Sequence, residues 1–389
     1  MRLKRFKSYK RKKCFVIFAC ISLIFAVFVY FLSRNYTAFL LFQNADEVRA
    51  TGGFLGSLAR VNYFGWRQKP TITFFDVYSL DSQLPEYPNA PVGVQTYLTG
   101  GRNELHLQDA NWERDFAVSG KQIATLLEQA GQPKADVLVA VNSTLVEKVL
   151  DYLSEKQSFT GGTGEELTGS NFSTLARRDH NIFASNRQPK TRFLQSFGRE
   201  AMKYFTQAPL REKWQLISFI YRQKNERLWQ AYSPHTTWQM MIKAIRADGT
   251  LRRNLGCEPV YWVMSNVGIN KSNHQVEVQM GDWEVESLGP LTTASSSVTI
   301  SNFNQLNEQA LLTERLHLAD YQRLILSPKV QVKSLRWQGE EIETWDERTI
   351  VDSHGREWQE IGFLIIVNEQ SQGRLEITLE GQNQCWRWQ

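Results

Sequence analysis

Cysteine and histidine are scarce in this sequence of 389 residues, which has four cysteines and six histidines. The histidines are scattered, and no group of cysteines and histidines has the spacing of a zinc site. Gly-x-Ser-x-Gly, P-loop and His-Glu-x-x-His motifs are also absent. The sequence therefore gives no support to hydrolase or NTPase functions that depend on those motifs. It contains no internal repeat and no low-complexity tract.

Charge is absent from one long stretch, which runs from Cys14 to Leu32. Residues 1–13 before it contain eight lysines or arginines and no acidic residue. A helix of roughly 20 apolar residues is needed to cross about 30 Å of hydrocarbon, and a basic flank stays on the cytoplasmic side. The sequence therefore predicts a cytoplasmic tail at 1–13, a transmembrane helix at 14–32 and an extracytoplasmic remainder.

A cleaved secretory signal is the main alternative to this single-pass anchor. Its apolar region would be about 7–15 residues long and would end in small residues at a cleavage site. The stretch here ends instead with Phe28, Val29, Tyr30, Phe31 and Leu32, of which the tyrosine fits the aromatic belt of a membrane interface. A buried core helix is a more distant alternative, because nothing amphipathic marks the run. The pattern favours an uncleaved anchor.

The rest of the chain is close to electrical neutrality. The whole sequence carries 45 basic and 40 acidic residues, and eight of the basic ones lie in the tail, which leaves 37 basic against 40 acidic. A nucleic-acid-binding protein needs a basic patch in its folded part, so a nucleic-acid partner is not expected. The basic tail itself is expected to contact anionic membrane lipid.

Two of the four cysteines, Cys14 and Cys20, lie in the predicted membrane helix. This leaves Cys257 and Cys385 as the one pair in the external part. Such a pair forms a disulfide in an oxidising compartment, which predicts a bond between the C-terminus and the strand region near Tyr261. The alternative is two unpaired, buried thiols.

The external part, about 350 residues long, exceeds what one ordinary core serves, so we expect two domains or one large domain with an appendage. Apolar runs alternate with helix-like stretches in residues 38–255, which predicts a layered α/β domain. Residues 256–389 have a mostly strand-like pattern, which predicts a β-rich part resembling a small sandwich. The overall fold class is therefore α/β behind a transmembrane helix.

Apolar periodicity predicts the individual elements. The strand candidates are Ala38–Phe42, Leu55–Tyr63, Thr71–Tyr78, Ala135–Val141, Val260–Met264, His274–Gln279, Ser296–Ser301, Leu324–Val332, Ile361–Val367 and Arg374–Leu379. The helix candidates are a segment from about Ser119 to Gly131, then Thr144–Leu153, Arg192–Phe205, Leu210–Ala231 and Thr237–Ala247. The later helices are expected to cover one face of the sheet.

A polar turn rich in glycine follows the first strand. It runs from Leu40 through Gln43 and Asn44 to Arg49-Ala50-Thr51-Gly52-Gly53-Phe54-Leu55-Gly56-Ser57. The two adjacent glycines supply backbone angles or a close approach that side chains forbid. One interpretation is a tight turn, and the other is a loop that presents backbone N–H groups to an anion.

This stretch resembles the bacterial domain-of-unknown-function 4012 family, in which a membrane-proximal strand ending in Gln-Asn is followed by Arg-x-Thr-Gly-Gly-Phe-x-Gly-Ser. The resemblance continues in four later pieces, Asp76–Asp81, Asp109–Phe116, Asp136–Val141 and Asn266–Asn273. The sequence departs from the family at Ala50, where proline is common, and at Cys257-Glu258-Pro259, where a more acidic lead-in is expected. The resemblance implies a fold and an extracytoplasmic, membrane-anchored location more than an activity.

The order of elements also resembles, more distantly, that of the LytR-CpsA-Psr ligases, which attach lipid-linked polymers to the cell wall. This is analogy, since a fold does not determine chemistry. In such chemistry Arg49 suits a bidentate phosphate contact, and Asp76, Asp81 and Asp109 suit a divalent cation such as Mg²⁺, the one cofactor implied. The candidate ligand-binding residues are Arg49, Thr51, Gly52, Gly53, Asp76, Asp81, Asp109, Asn111, Asp115 and Lys271.

Each of these residues also has an ordinary structural interpretation. The aspartates are common helix caps or turn residues, and Asp115 lies just ahead of a predicted helix. Asp109-x-Asn111 starts like a calcium loop but lacks the required glycine and glutamate. Lys271 lies either in a plain hairpin turn or at a second anion contact. Trp112, Trp262 and Tyr78 either line a glycan or lipid groove or pack in the core.

Two functions are consistent with these patterns. The favoured one is a noncatalytic binding or scaffold module for envelope glycans or other envelope proteins, because no catalytic base can be named. The alternative is a cation-dependent transferase acting on a lipid-linked polyprenyl diphosphate polymer. The transferase predicts that Arg49, Asp76, Asp81 and Asp109 converge around one pocket that opens toward the membrane.

Overall fold

The computed structural model describes residues 33–65, 68–176, 192–253, 256–288, 291–305, 317–382 and 384–389. The predicted tail at 1–13 and the predicted transmembrane helix at 14–32 lie outside these residues. Within the described ranges, no helix is both long enough and apolar enough to cross a bilayer.

A mixed five-stranded sheet forms the first half of the fold. Its strands are β1 (Asn35–Asn44), β2 (Phe54–Phe64), β3 (Thr71–Asp76), β4 (Val137–Asn142) and β5 (Trp229–Tyr232). Their order is β3-β2-β1-β4-β5, in which only β1 and β4 run parallel. Since β1 is central, it contributes fully buried side chains, and its polar carboxyl end lies beside the carboxyl end of β4.

Seven α-helices have both of their limits within the described residues. They are α1 (Val77–Asp81), α2 (Val92–Tyr97), α3 (Phe116–Gln129), α4 (Ser143–Leu153), α5 (Arg192–Gln207), α6 (Leu210–Arg222) and α7 (Thr236–Ala244). Helix α3 begins where the Asp115 carboxylate accepts a hydrogen bond from the Ala117 N–H, and Gly131 follows its end with a φ of 74°. Its apolar positions pack with Phe39 and Leu41 of β1 in the largest core of this half.

Helices α4, α5 and α6 share a separate apolar cluster, which includes Leu150, Phe193 and Leu216. Helix α5 reaches the sheet at Gly198, where an added Cβ would lie 2.6 Å from the Phe74 ring. The expectation that the later helices cover one face of the sheet is therefore confirmed only in part, because α7 packs on β4 and β5 through Ile242, while α5 and α6 pack mainly with α4.

Two further sheets form the β-rich half. The strands are β6 (Glu258–Val263), β7 (Val276–Met280), β8 (Glu284–Leu288), β9 (Leu291–Asn302), β10 (Leu318–Leu326), β11 (Gln331–Trp337), β12 (Glu340–Glu341), β13 (Asp346–Val351), β14 (Glu357–Val367), β15 (Ser371–Gly381) and β16 (Trp386–Trp388). One sheet has the order β13-β14-β10-β6-β16 and the other β12-β11-β15-β9-β7, with β8 on β9. Both sheets contribute to one buried core, so they pack face to face. The predicted order, an α/β part before a β-rich part, is confirmed, while the domain limits 38–255 and 256–389 stay a prediction.

Cys257 and Cys385 form a disulfide, the pairing that the sequence predicts. Cys257 lies immediately before β6, and Cys385 lies immediately before β16, which pairs with β6 in parallel. The bond therefore fixes the C-terminus to the edge of its sheet.

Several predicted elements, including the following three, were wrong in their limits. The strand candidate Thr71–Tyr78 ends at Asp76, because that carboxylate caps α1. The helix candidate Leu210–Ala231 ends at Arg222 and is followed by a short 3-10 turn and then by β5. The strand candidate Leu324–Val332 joins the end of β10 to the start of β11 across a turn, in which the Val330 N–H donates to the Ser327 carbonyl. Apolar runs on both sides of a turn hid these breaks.

Candidate functional site

The family-like loop lies between β1 and β2, at the carboxyl ends of the two parallel strands. Gln43 of β1 pairs directly with Asn142 of β4. Because the carboxyl ends of parallel strands meet at one edge of a sheet, their polar side chains and the following loop come together there.

Side-chain amides hold this loop from four directions. Gln43 Nε2 donates to Thr51 Oγ1 at 2.6 Å, and Gln230 Nε2 donates to the Thr51 carbonyl at 2.6 Å. Asn142 Nδ2 donates to the carbonyl of residue 52 at 2.7 Å, and Asn111 Nδ2 donates to that of residue 53 at 2.7 Å. Thr51 and Asn111 are thus buried members of a network that fixes the loop from within, and their predicted role in ligand binding stays a prediction.

Both adjacent glycines are required by the geometry of the turn. Gly52 has a φ of 134°, which L-residues rarely adopt, and its carbonyl receives the amide of Asn142. A Cβ on Gly53 would lie 2.3 Å from the Asn44 carbonyl oxygen. Of the two interpretations of the glycine pair, the structure provides direct support for the tight turn.

Arg49 is buried, and all five N–H groups of its guanidinium are used within the chain. Nε and Nη2 donate to Asp109 Oδ1 at 3.3 and 3.2 Å, and Nη2 also donates to Glu47 Oε1 at 2.9 Å. Nη1 donates to the carbonyls of Asn266 at 2.6 Å and Val48 at 3.1 Å. A guanidinium has five donors in all, so this set leaves none for a phosphate while the contacts persist.

The loop from Asn266 to Asn273 packs directly against the β1–β2 loop. The Asn266 N–H donates to the Val48 carbonyl at 3.0 Å, and the Asn273 N–H donates to the Asp46 carbonyl at 3.1 Å. Asn273 Oδ1 accepts from the Val48 N–H at 3.1 Å. These contacts join two family-like pieces that are more than 200 residues apart in sequence.

Lys271 lies in this second loop, where its charge opposes the burial that raises the pKa of Glu47. The plain hairpin predicted for Lys271 is wrong, because the strands on either side, β6 and β7, belong to different sheets. The alternative, a second anion contact, stays a prediction.

Burial dominates the electrostatics of the Arg49 cluster, by which we mean Glu47, Arg49, Asp109 and the Asn266 carbonyl. Burial raises the pKa of Glu47 and of Asp109, and the Arg49 charge opposes this shift in both. Tyr78 lies at the rim, where burial and then the charges of Glu47 and Asp109 raise the pKa of its hydroxyl. The cluster is therefore a closed ion-pair network with one aromatic residue at its edge.

The four candidate aspartates hold different partners. Asp76 accepts from the Tyr78 N–H at 3.2 Å, and Asp115 caps α3 while accepting from the Ser353 N–H at 3.2 Å. The two oxygens of Asp81 receive the Leu107 N–H at 2.7 Å and contact His106 Nδ1 at 2.8 Å. The capping interpretation of Asp115 is thereby confirmed.

Asp76, Asp81 and Asp109 do not fit a shared cation. Asp109 holds Arg49, while Asp81 holds a backbone N–H and an imidazole. In the described part of the chain, no group of three or more His, Cys, Asp or Glu side chains is arranged to hold a metal ion. We therefore derive no chemistry through Mg²⁺.

The three candidate groove aromatics have two different environments. Trp112 and Trp262 are buried in two apolar clusters, so their core interpretation is confirmed. Tyr78 is 48% exposed, and its ring centroid lies 6.2 Å from that of Phe54.

Sequence reasoning missed a second buried charge network between the two halves. Arg348 donates to Glu113 Oε1 at 2.9 Å and to Glu360 Oε1 at 2.6 Å. Arg323 donates to Glu360 Oε2 at 3.3 Å and to the Trp112 carbonyl at 2.9 Å. Nothing in the local pattern marks these residues, because the contacts that join the halves, Arg348 with Glu113 and Arg323 with the Trp112 carbonyl, span 235 and 211 residues. Glu47, also missed, had one signal, its position two residues before Arg49.

A cavity of about 20 Å³ adjoins this second network and is lined in part by Trp112, Tyr321, Asp346 and Glu360. A space of this size accommodates about one water molecule. It is too small for a sugar or a diphosphate.

Comparison with known proteins supports the family resemblance over part of the chain. Residues 33–180 match the model of a family described as "Protein of unknown function (DUF4012)". This segment contains the β1–β2 loop and Asp109, so the predicted resemblance is confirmed there, whereas Asn266–Asn273 lies beyond it. No curated protein matches the sequence.

Similarity to solved structures is weak. B. subtilis TagV has a TM-score of 0.32 and 10% identity, over 55% of this chain and 80% of that one. A two-domain M1 zinc metallopeptidase, solved as a mutant bound to the amino acid L-tryptophan, has a TM-score of 0.13 and 11% identity, over 34% of this chain and 21% of that one. Scores this low carry no argument about fold or activity.

Proposed function

We propose that this protein is a membrane-anchored, extracytoplasmic component of the cell envelope that acts as a noncatalytic binding or scaffold module. The charge-free stretch at 14–32 behind a basic tail supports the anchor. The disulfide between Cys257 and Cys385 is consistent with an oxidising compartment outside the cytoplasm. The partners proposed are membrane lipid at the N-terminus and an envelope glycan or protein at the folded part.

The full internal engagement of Arg49 carries the noncatalytic part of the proposal. An arginine that stabilises a transferring phosphoryl group must direct N–H donors at that group. Here the donors bind Asp109, Glu47 and two backbone carbonyls, one of them from the β-rich half. The most distinctive motif of the sequence therefore contributes contacts that join the two halves.

The transferase alternative has less support. It requires Arg49, Asp76, Asp81 and Asp109 to share one open pocket, but the first and last of these form a closed pair, while Asp76 caps a helix. Asp81 has its own partners at both carboxylate oxygens. Each of the three aspartates thus has a structural role that leaves it poorly placed to act as a base on an incoming hydroxyl group.

Two measurements test the proposal. Fusion of alkaline phosphatase after Gln389 is expected to give an active enzyme, because the phosphatase folds only outside the cytoplasm, whereas a fluorescent protein at the same position stays dark. A bright fluorescent fusion with an inactive phosphatase would overturn the topology.

Calorimetry with farnesyl diphosphate and MgCl₂ tests whether the protein has the diphosphate site that the transferase alternative requires. The full-length protein in detergent is expected to show no binding up to millimolar ligand.

Arg49→Met is expected to lower the free energy of unfolding by about 3–5 kcal/mol, because it leaves two buried carboxylates unpaired. Arg102→Met, at an exposed ion pair, serves as the control and is expected to change it by less than about 1 kcal/mol. In the calorimetry, magnesium-dependent binding of farnesyl diphosphate that Asp109→Asn abolishes would favour the transferase.

A further inference from the structure

Helix α6 exposes a continuous apolar stripe. Leu210, Trp214, Ile217 and Tyr221 are 71, 62, 43 and 40% exposed. Their spacing of four, three and four residues places them along one face of the helix. The opposite face is occupied, since Leu216 is buried in the cluster that α6 shares with α4 and α5. Single exposed apolar residues are ordinary, but a row of large ones marks a contact surface.

Basic residues lie beside this stripe. Residues 192–227, which include α5 and α6, contain eight lysines or arginines and three glutamates, although the chain beyond the tail is close to neutral. Arg211 and Arg222 are exposed beside the stripe. Lys224 Nζ lies 3.4 Å from the centroid of the Tyr221 ring. The surface thus combines apolar side chains with a local excess of positive charge.

We propose that this α6 stripe rests on the surface of an anionic lipid bilayer. Helices that bind in the plane of a membrane interface have aromatic and aliphatic residues on one face and lysine or arginine beside them. Tryptophan and tyrosine are enriched at that depth, and the basic residues attract anionic headgroups. The local positive charge selects a lipid surface over a neutral or basic protein partner.

This inference rests on the membrane anchor of the proposed function. The charge-free stretch ends at Leu32, and β1 begins at Asn35, so the chain between them spans no more than about 11 Å. An anchor this close keeps the whole fold beside the bilayer and raises the effective concentration of lipid at α6.

Contact of α6 with lipid also determines how the first sheet lies. The Trp229 indole N–H donates to the Ile220 carbonyl of α6 at 2.7 Å, and Trp229 pairs with Val141 near the end of β4. This end of the sheet is opposite to Asn35, because Val141 pairs with Phe42 of β1, about 23 Å from Asn35 along that strand. With the anchor at one end and α6 toward the other, the sheet lies along the membrane and does not stand on its end.

Hydrogen exchange of the full-length protein in nanodiscs tests this placement. One set of discs contains phosphatidylcholine alone, and the other contains phosphatidylglycerol in addition. Amide exchange across Lys213–Tyr221 is expected to be at least about tenfold slower in the anionic discs, because lipid contact stabilises the helix against opening. Substituting Trp214→Gln together with Ile217→Gln is expected to remove the difference, while Leu364→Thr with Ile366→Thr, an exposed apolar pair on β14, is expected to leave it unchanged.

Equal exchange in the two lipids would overturn the proposal, including the case in which α6 is protected in both because a second copy or another protein covers it. Loss of protection by the β14 pair and not by the α6 pair would also overturn it. Failure of the anchor gives a different result, because a chain without a membrane segment does not purify with the discs at all.

Discussion

Several charged side chains are buried in this protein, and Asp320 is one that has few compensating contacts. It lies on β10 with no exposed surface, and Oδ1 accepts from the Ser265 N–H at 2.6 Å. Its Oδ2 is buried without a hydrogen-bond partner among the described residues. Burial raises the pKa of Asp320 to about 7, against the opposing influence of that N–H and of Arg49 and Arg323. Near neutral pH this carboxyl group is therefore partly protonated.

The raised pKa predicts a specific dependence of stability on pH. Between about pH 4 and pH 7 the folded protein retains a proton that the unfolded chain has lost, so the contribution of Asp320 falls as pH rises through this window and levels off above it. The full difference is on the order of 4 kcal/mol as an upper bound. Asp320→Asn keeps the acceptor for Ser265 and is expected to remove this slope, which urea unfolding between pH 4 and pH 8 measures.

Comparing Asp320→Asn with the unmodified protein separates the titration of Asp320 from that of every other group. The free-energy difference between Asp320→Asn and the unmodified protein should grow in favour of the variant up to pH 7. Asp282→Asn, at an exposed position, is the matched control and should give a constant difference. If the Asp320 variant also gives a constant difference, this aspartate is ionised throughout the window.

At the residue scale, the sequence singled out Arg49 and the glycine pair as candidate site residues, but it did not mark Asp320 or Arg323. A motif draws attention to the former, whereas the latter lie in an ordinary apolar strand. Strand β10 is central in its sheet, and both of its faces are buried, one against the sandwich core and the other toward the α/β half. The alternation of apolar and polar residues along β10 cannot show that both faces are buried, because the second face is buried only after the two halves dock.

At the scale of elements, the turn between β1 and β2 depends on backbone packing. Gly53→Ala is expected to lower the free energy of unfolding by about 1–3 kcal/mol, because its Cβ would meet the Asn44 carbonyl carbon and oxygen, which belong to the backbone of β1. Gly256→Ala is the control, since no atom lies within 4 Å of the added Cβ. Thermal unfolding followed by circular dichroism measures both. An equal loss of stability in Gly53→Ala and Gly256→Ala would mean that the turn between β1 and β2 adjusts to the added Cβ without strain.

Helices long enough to show a periodic apolar face were predictable from the sequence, whereas the short helices α1 and α2 were not. The spacing of Ile123, Leu126 and Leu127 and the Asp115 cap located α3 from the sequence. Strand β5 is only four residues long and begins shortly after the 3-10 turn that follows α6. Its apolar residues therefore look like a continuation of the apolar periodicity of α6. Periodicity cannot separate a short strand from the end of a helix.

At the scale of the whole molecule, the two halves are joined by contacts that no local pattern reveals. Arg49 donates to the Asn266 carbonyl across 217 residues, and Arg348 donates to Glu113 across 235. The sequence predicted the order of the halves from composition. Their docking depends on the exact placement of buried polar groups, which emerges only from the folded backbone.

The disulfide acts within the β-rich half, where it closes a loop over a sequence separation of 128 residues that contains nearly all of this half. Closing a loop of this length removes conformational entropy from the unfolded chain, an effect on the order of 4–5 kcal/mol in the chain-entropy model. Cys257→Ser with Cys385→Ser is therefore expected to lower the urea midpoint substantially, and reductant is expected to reproduce the shift in the unmodified protein. Cys14→Ser with Cys20→Ser is the matched control and should leave the midpoint of the external fold unchanged. A midpoint indifferent to the loss of Cys257 and Cys385 would mean that β16 is held to β6 by its backbone pairing and by the burial of Trp386 alone.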